Sequence, residues 1–355
     1  MKSHLSALVI VAGCAMAIPI SVHAAGEEGS TRSPGSAFDL GRWKITLPVD
    51  GDGDGRVDEI SVSELESYSH PDFFYLDEDG RMVFAAPNRA ATTSGSSNTR
   101  SELRQMLRGA NTRIGTHDPQ NNFAVEGRRQ SDEFGSVGGR LEATLRVDHV
   151  AKNARFTDRN PAYSVVVGQI HAVGHDDTTS GFGYGNEPIK IYYKKWPDHD
   201  TGSVFWTYER NLPRDDENRT DIPVPVFGNL WDNSEDPGER GIALGEEFSY
   251  EINVHRNTMY VTFRSERLGT VGHAVSLVQG VDELDSPLGY GGDTLYFKAG
   301  AYNQCSVRAA EGFWYPGCAG TGDWETDRAN GDYAQVSFSR LVQGPSVPFS
   351  AADEN

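Results

Sequence analysis

Positive charge is in short supply in this sequence. The chain carries 32 lysines and arginines against 51 aspartates and glutamates, which gives a formal net charge of −19. This balance argues against a nucleic-acid partner, because binding polyphosphate needs a basic footprint. An anionic partner of another kind stays compatible with it. Net charge governs solubility and steering, whereas a groove needs only local cations, and salt screens charges beyond about 10 Å.

The sequence also lacks the motifs of several common enzyme classes. It contains no H-E-x-x-H pair of a zinc hydrolase, no P-loop and no recognisable Ser or Cys nucleophile motif. No strand-like segment offers two acids on one face at a spacing that suits a glycosidase. Catalytic acids can come from separate strands, however, so the glycosidase class stays open.

Long apolar runs are confined to the N-terminus. A positive start, an apolar run that ends at Ile18 and a small-residue site at Val22-His23-Ala24 predict a signal peptide over residues 1–24. The run is too short to span a bilayer comfortably. Val11-Ala12-Gly13-Cys14 resembles a lipoprotein cleavage box, so lipid anchoring at Cys14 is the alternative to ordinary secretion. We therefore expect a secreted or periplasmic protein without a membrane span.

Cysteine is scarce, with three in the chain. Removal of the signal peptide leaves Cys305 and Cys318. In an exported protein, this pair indicates a disulfide rather than a metal pair or a nucleophile. The bridge would close the loop that follows the segment 296–304.

Long amphipathic helices and fixed-period repeats are not evident either. Glycine is abundant, at 39 residues, and short alternating segments such as Arg140 to Val147 recur along the chain. Many short strands in one series predict an all-β fold, a single-domain antiparallel β-sandwich. Around this domain at 37–344 we expect a flexible leader at 25–36 and a frayed tail at 345–355.

One acidic loop has a spacing that suits a metal ion. Asp50, Asp52 and Asp54 alternate with glycines, which turns carboxylates inward on a tight loop and suits calcium. The twelfth position of the loop is Ser61 instead of the glutamate of an EF-hand, and flanking helices are not evident. The loop therefore predicts either a structural calcium site or a plain acidic turn.

Three separate segments carry polar side chains at a spacing of two, so that in strands each set would share one face. The sets are Arg100, Glu102 and Arg104; Gln169 and His171; and Tyr296, Lys298, Tyr302 and Gln304, with the bare Gly300 among the last. On one concave sheet they would line a groove. Glu102 would then lock the rotamers of the two arginines. Lys190, Lys194 and Lys195 are assigned mainly to a solvated face, with an extension of the groove as the alternative.

This set of side chains suits proton abstraction beside a carboxylate. Arg100 and Gln169 can bind a substrate carboxylate and disperse the charge of an enolate-like intermediate. His171, neutral near pH 7, can take the proton from the adjacent carbon. Tyr302 can protonate the departing glycosidic oxygen. The residues thus predict β-elimination on a uronic acid polymer, chemistry that requires no cofactor.

Arg-Ser-Glu-Leu-Arg at 100–104, Gln-Ile-His at 169–171 and Tyr-Phe-Lys-Ala-Gly-Ala-Tyr-Asn-Gln at 296–304 resemble the three signature blocks of the family 7 alginate lyases, in the family's order. The opening strand at 38–48 is similar too. The resemblance implies a concanavalin-like β-jelly roll with a substrate cleft across its concave sheet. It implies a lyase that leaves unsaturated uronic acid ends on alginate. In the roles it assigns, Arg100 and Gln169 neutralise the carboxylate, His171 is the base, and Tyr302 is the acid, or both base and acid in mannuronate units.

The other groove residues are predicted to bind substrate; they are Arg104, Lys298, Gln304, Glu102 and Tyr296. Segments 108–136 and 211–246 look like insertions that would roof the cleft or block one end, which leaves internal and terminal cutting both open. We expect a monomer. The alternatives are a non-catalytic carbohydrate-binding jelly roll and a glycoside hydrolase on a similar sandwich.

Overall fold

The computed structural model describes residues 32–126, 133–173, 185–308 and 314–349, all of which belong to one compact unit. The predicted signal peptide, the lipoprotein alternative at Cys14 and the leader as far as residue 31 lie outside these ranges. Residues 350–355 of the predicted tail do so as well. Within the described ranges, no helix has the length and apolar character to cross a membrane.

The described part of the chain is built from short strands. In chain order they are β1 (Trp43–Thr46), β2 (Glu59–Ile60), β3 (Phe74–Leu76), β4 (Met82–Pro87), β5 (Arg100–Gln105), β6 (Phe123–Ala124), β7 (Ser136–Val137), β8 (Gly139–His149), β9 (Ser164–Ala172), β10 (Ile189–Lys194), β11 (Ser203–Glu209), β12 (Asp221–Phe227), β13 (Glu247–His255), β14 (Thr258–Ser265), β15 (Gly269–Ser276), β16 (Leu295–Asn303) and β17 (Tyr333–Gly344). Two short α-helices accompany them, α1 (Val62–Leu65) and α2 (Trp324–Asn330).

These strands form two sheets. The first, called here the cleft sheet, has the order β12-β11-β10-β9-β16-β5-β1-β2, with β6 also paired to β16. The second has the order β15-β14-β13-β8-β17-β4-β3. Apart from the parallel pair of β6 and β7, the pairings between these strands are antiparallel. The predicted all-β antiparallel sandwich is therefore confirmed.

Strict alternation of side chains places the core between the two sheets. On β8, Leu141, Ala143, Leu145 and Val147 are buried, while the residues between them are only partly buried. Each large apolar side chain buried in this way stabilises the fold by about 1.5–3 kcal/mol. One continuous apolar cluster joins both sheets. The opposite face of the cleft sheet carries polar side chains and a small separate cluster that includes Tyr192, Phe205 and Tyr302.

Two connecting segments contribute to the sheets. β3 and β4 form a hairpin that turns at Asp79-Gly80. The segment 211–246, which looks like an insertion, contains β12, and this strand extends the cleft sheet. Asp221, Pro223 and Pro225 hid that strand from the sequence pattern. Pro is tolerated there because β12 is an edge strand.

Within the predicted tail at 345–355, Val347 exchanges two hydrogen bonds with Asn253.

Candidate active site

Strand pairing brings the three sequence blocks together in the middle of the cleft sheet. β16 lies between β5 and β9, and Lys298 is in register with Arg104 on one side and Gln169 on the other. Tyr302 is in register with Arg100, and Tyr296 is in register with His171. Adjacent strands lie about 4.8 Å apart, so these side chains form one contiguous polar patch.

Gly300 sits at the centre of this patch because no other residue fits there. Its φ of +144° is a conformation that side chains other than glycine rarely adopt. A Cβ at this position would lie 2.5 Å from the carbonyl oxygen of Ser101 on β5. The pairing of β16 with β9 also shifts register between Ala299 and Tyr302. This bulge turns Tyr302 relative to the preceding part of β16.

Glu102 is the buried anion around which the cations gather, with 2% of its surface exposed. Its Oε2 lies 3.0 Å from Nη1 of Arg100 and 2.5 Å from Nζ of Lys298. Gln169 donates its Nε2–H to Oε1. Burial by itself raises the pKa of Glu102, but Lys298 and Arg100 together hold that pKa below its usual value. Glu102 is therefore ionised, and it fixes three side chains at once.

The pKa of Lys298 is set by opposing effects. Burial and the charge of Arg100 lower its pKa to about 8, while Glu102 acts to raise it. At neutral pH Lys298 is therefore mostly protonated. Its ammonium group lies under the groove as a fixed positive charge, with 7% of the residue exposed.

Arg100 and Tyr302 lie against each other beside this anion. The Cζ atom of Arg100 stands 3.9 Å from the centre of the Tyr302 ring. The hydroxyl of Tyr302 is 3.1 Å from Oγ of Ser96 and 3.4 Å from the hydroxyl of Tyr315. Among the described residues, the buried Nε of Arg100 has no hydrogen-bond partner. A guanidinium N–H is thus left to bind an incoming acceptor.

Gln169 contains a second buried polar atom without a hydrogen-bond partner among the described residues. The residue is 1% exposed, and its Oε1 is buried without a hydrogen-bond partner in the described part of the chain. Because the carboxylate of Glu102 accepts one N–H of the amide, a second N–H of the same group stays available. Arg100 and Gln169 therefore both keep hydrogen-bonding capacity beside Glu102.

His171 is arranged as a neutral imidazole with one free nitrogen. Its Nδ1 donates to the carbonyl oxygen of Ala172 at 2.9 Å, which leaves the lone pair on Nε2. The ring stacks on Tyr296, with centroids 5.1 Å apart. Burial lowers the pKa of His171 to about 4, and Lys298 contributes in the same direction against the opposing charge of Glu187. At neutral pH His171 can therefore accept a proton at Nε2.

Arg104 and Gln304, two of the residues predicted to bind substrate, donate hydrogen bonds to groups of the protein itself. Arg104 donates to the carbonyl oxygens of Gln105 and Thr116 and to Oδ1 of Asn122, and its Cζ lies 3.9 Å from the ring centre of Tyr296. It is 5% exposed. Arg104 therefore anchors the loop beyond β5, and it is Arg100 that pairs with Glu102.

Gln304 lies just beyond the end of β16. It is 1% exposed, and its amide donates to the carbonyl oxygen of Tyr302. Tyr296, by contrast, forms the floor under His171, and burial raises its pKa to about 12. Tyr296 is therefore a neutral phenol at neutral pH.

A charged cluster beside His171 was missed by the sequence reading. Lys190 lies 3.5 Å from Glu187 and 3.1 Å from Asp221, so its assignment to a solvated face is wrong. Lys194 is also buried, and it donates to the carbonyl oxygen of Asn160. The acids of the cluster come from a loop and from the ends of β11 and β12, where no alternating pattern marks them.

The described parts of the two apparent insertions, 108–136 and 211–246, border the patch on opposite sides. In the first insertion, Thr116 and Asn122 accept hydrogen bonds from Arg104. Trp231 of the second packs edge-on against Tyr192, in the small aromatic cluster that includes Tyr302. The predicted disulfide between Cys305 and Cys318 is present, and it closes the loop that carries Tyr315.

The acidic loop before β2 gathers three carboxylates. Oxygens of Asp50, Asp52 and Asp58 lie within 4.8 Å of one another. Asp54 lies outside this set, and its Oδ1 accepts the backbone N–H of Arg56 at 2.9 Å. The converging set thus contains Asp58 in addition to two of the three residues chosen from the sequence. Asp58 follows the D-x-D-x-D run, so its approach depends on how the loop closes.

Comparison with known proteins identifies the family. The model of the family Alginate_lyase2, described as alginate lyase, matches residues 38–343. A curated alginate lyase from Klebsiella pneumoniae is 37% identical over 307 residues, which are 84% of this chain and 91% of that protein.

Solved structures agree with this result. A crystal structure of an alginate lyase from Klebsiella pneumoniae matches with a TM-score of 0.70 at 33% identity, over 89% of this chain and 99% of that one. The exolytic PL7 alginate lyase AlyA5 from Zobellia galactanivorans matches with a TM-score of 0.71 at 33% identity, over 90% and 100% of the two chains. With its matched sequence and its jelly-roll sandwich, this chain belongs to the alginate lyase 2 family and is a polysaccharide lyase.

Proposed function

We propose that this alginate lyase cleaves its polymer by β-elimination at the patch formed by Arg100, Gln169, His171 and Tyr302. One observation carries the proposal: two buried polar atoms, Nε of Arg100 and Oε1 of Gln169, have no partner among the described residues. Such atoms are costly to bury unless something pairs with them. A uronate in the cleft supplies an acceptor to Arg100 and hydroxyl donors to Gln169.

The carboxylate of the reacting sugar binds Arg100 and the second N–H of Gln169. When the proton on C5 is removed, negative charge moves onto that carboxylate, and these donors stabilise it. Lys298 adds a positive charge beneath the site, held by Glu102 at 2.5 Å. Glu102 itself is a positioning residue, because its carboxylate is saturated by protein donors.

His171 is the base for guluronate units. The C5–H bond breaks, its proton goes to Nε2, and the electron pair enters the carboxylate as an enolate. The pair then forms the C4=C5 double bond as the C4–O bond breaks, and Tyr302 gives its proton to the departing oxygen. In mannuronate units Tyr302 serves as both base and acid. Tyr296 supports the ring of His171 from below.

The remaining features support export of a monomer that requires no cofactor for the reaction. A disulfide is typical of proteins outside the cytoplasm, and this chain has one at Cys305–Cys318. A calcium ion in the acidic loop would be held by Asp50, Asp52 and Asp58 and would contribute only stability.

Ultraviolet absorbance of the reaction products tests the proposed function. Purified protein incubated with alginate is expected to generate the conjugated unsaturated uronate that β-elimination leaves. A glycoside hydrolase would generate reducing ends without that absorbance, and a carbohydrate-binding jelly roll would generate neither. Either of these two results would overturn the proposal.

A further inference from the structure

A carboxylate outside the proposed catalytic set faces the base. Oε1 of Glu187 lies 3.9 Å from Nε2 of His171, the nitrogen that carries the lone pair. This distance is too long for a hydrogen bond to the neutral ring. It is short enough for a strong charge interaction once the ring is protonated, because the site is largely shielded from water.

The backbone fixes Glu187 at this distance. The N–H of Ala172, the residue after His171, donates to the carbonyl oxygen of Asn186 at 2.8 Å. The N–H of Glu187 donates to Oε2 of Glu209 at 2.9 Å, and the N–H of Glu209 donates back to the carbonyl oxygen of Glu187 at 3.1 Å. Glu187 is therefore tied both to the end of β9 and to β11.

The charges of the cluster keep Glu187 ionised. Burial favours the neutral acid, but Lys190 and Glu209 hold the pKa of Glu187 down at about 2. Burial and the charge of Glu187 raise the pKa of Glu209 well above its usual range. The guanidinium of Arg219 lies 3.0 Å from Oε1 of Glu209. The side chain of Glu187 is 14% exposed. A fixed negative charge thus faces the base.

We propose that Glu187 is a positioning residue that stabilises the imidazolium formed when Nε2 of His171 accepts the C5 proton. The inference rests on the proposed β-elimination. Glu187 keeps its charge throughout and takes no proton, in the way that the buried aspartate acts in serine protease triads. The other charged and titratable groups that act on His171 are Lys298 and Arg100, which lower its pKa, and Tyr296, which stacks on its ring. Lys190 faces Glu187 itself, at 3.5 Å.

The test is Glu187→Gln, with Glu251→Gln on the second sheet as its control. Loss of the charge makes His171 a weaker base, so kcat/KM on polyguluronate is expected to fall at least about 10-fold on the pH plateau. The acid limb of the same profile should move to lower pH, because the imidazolium has lost its partner. Glu251→Gln also removes a carboxylate that pairs with an arginine, Arg140, but away from His171, and it should change neither quantity.

This combination separates a positioning role from a structural one. A structural defect lowers the rate at every pH and leaves the acid limb where it was, and that result would overturn the proposal. Wild-type values of both plateau and limb in Glu187→Gln would overturn it as well. The melting temperatures of both variants establish that the assayed proteins are folded.

A second measurement keeps the inference testable without turnover. The pKa of His171, followed by NMR in the protein alone, should be lower in Glu187→Gln than in wild type and unchanged in Glu251→Gln. If Glu187→Gln does not fold, Glu187→Asp should lower that pKa by a smaller amount, and an unchanged pKa overturns the proposal. Failure of the wild type to form unsaturated product would refute the β-elimination instead, while this titration would still report on Glu187.

Discussion

Arg100 and Tyr302 form a stacked pair in which Cζ of the guanidinium lies 3.9 Å from the centre of the phenol ring. In the proposed reaction the first residue binds the carboxylate of the sugar and the second protonates the leaving oxygen. A cation over an aromatic face is attracted by the ring, so each side chain limits the rotation of the other. Substrate binding at Arg100 therefore sets where the hydroxyl of Tyr302 points, and this coupling makes the site sensitive to single substitutions.

Removal of the Tyr302 hydroxyl is expected to stop turnover. Tyr302→Phe keeps the ring under Arg100 but has no proton to give, and general acid catalysis contributes about 100-fold to 10,000-fold. We expect kcat on alginate to fall by at least about 100-fold, with the Kd of an alginate oligomer nearly unchanged. Stopped-flow or steady-state absorbance and calorimetric titration measure the two quantities. Wild-type kcat would remove Tyr302 from the role of acid.

Arg100 and Arg104 should respond differently to the same replacement. Arg100→Lys loses the flat fork that grips the carboxylate, so kcat/KM should fall about 100-fold with little change in melting temperature. Arg104→Lys loses donors to Gln105, Thr116 and Asn122, so it should cost about 1–3 kcal/mol of stability and leave kcat close to wild type. Unfolding curves and initial rates compare the pair. Equal loss of kcat/KM in both variants would contradict the assignment.

His171 should make the protein less stable as the pH falls. Its pKa is about 4 in the fold against 6.5 for the free side chain, so between these values the unfolded chain binds more protons. Stability contributed by this group is therefore complete above pH 6.5 and declines towards pH 4. The loss amounts to about 3 kcal/mol, at about 1.4 kcal/mol for each pH unit. Urea unfolding of wild type and His171→Asn should show a shallower pH slope in the variant.

Chelation tests the acidic loop. If calcium binds Asp50, Asp52 and Asp58, then EDTA should lower the melting temperature, and added calcium should restore it, because an ion that binds only the folded state stabilises it. Asp58→Asn should abolish the response, whereas Asp54→Asn should retain it, since Asp54 lies outside the converging set. If EDTA does not change the melting temperature of the wild type, the loop is a plain acidic turn.

Alternation along single strands accounts for what could be foreseen. Arg100, Gln169, His171 and Tyr302 were found because each lies in a segment where a period of two separates polar from apolar positions. The same period predicted the sandwich and the buried face of β8. Which strands would be neighbours, however, depends on pairing between segments far apart in the chain. The family resemblance supplied that information.

Groups outside the strands could not be foreseen in the same way. Ser96 and Tyr315 reach the hydroxyl of Tyr302 from loops, where no period links position to direction. Glu187 is placed near His171 by a backbone hydrogen bond between its neighbour Asn186 and Ala172 and by its own hydrogen bonds with Glu209. The burial of a polar side chain by a loop cannot be predicted from strand alternation either. Arg104 lies on the predicted face, yet the loop around Thr116 and Asn122 covers it.

Gly300 has a consequence for how such an enzyme can change. A Cβ at this point would collide with the carbonyl oxygen of Ser101, and the backbone there adopts a φ of +144°. Mutation cannot add a side chain to this spot without separating two central strands. A lineage that acquires a new polymer preference must therefore keep glycine at this point of the floor and change the side chains and loops around it. Mutant libraries intended to change the polymer preference of the enzyme should therefore target the loops at 228–242 and 108–122.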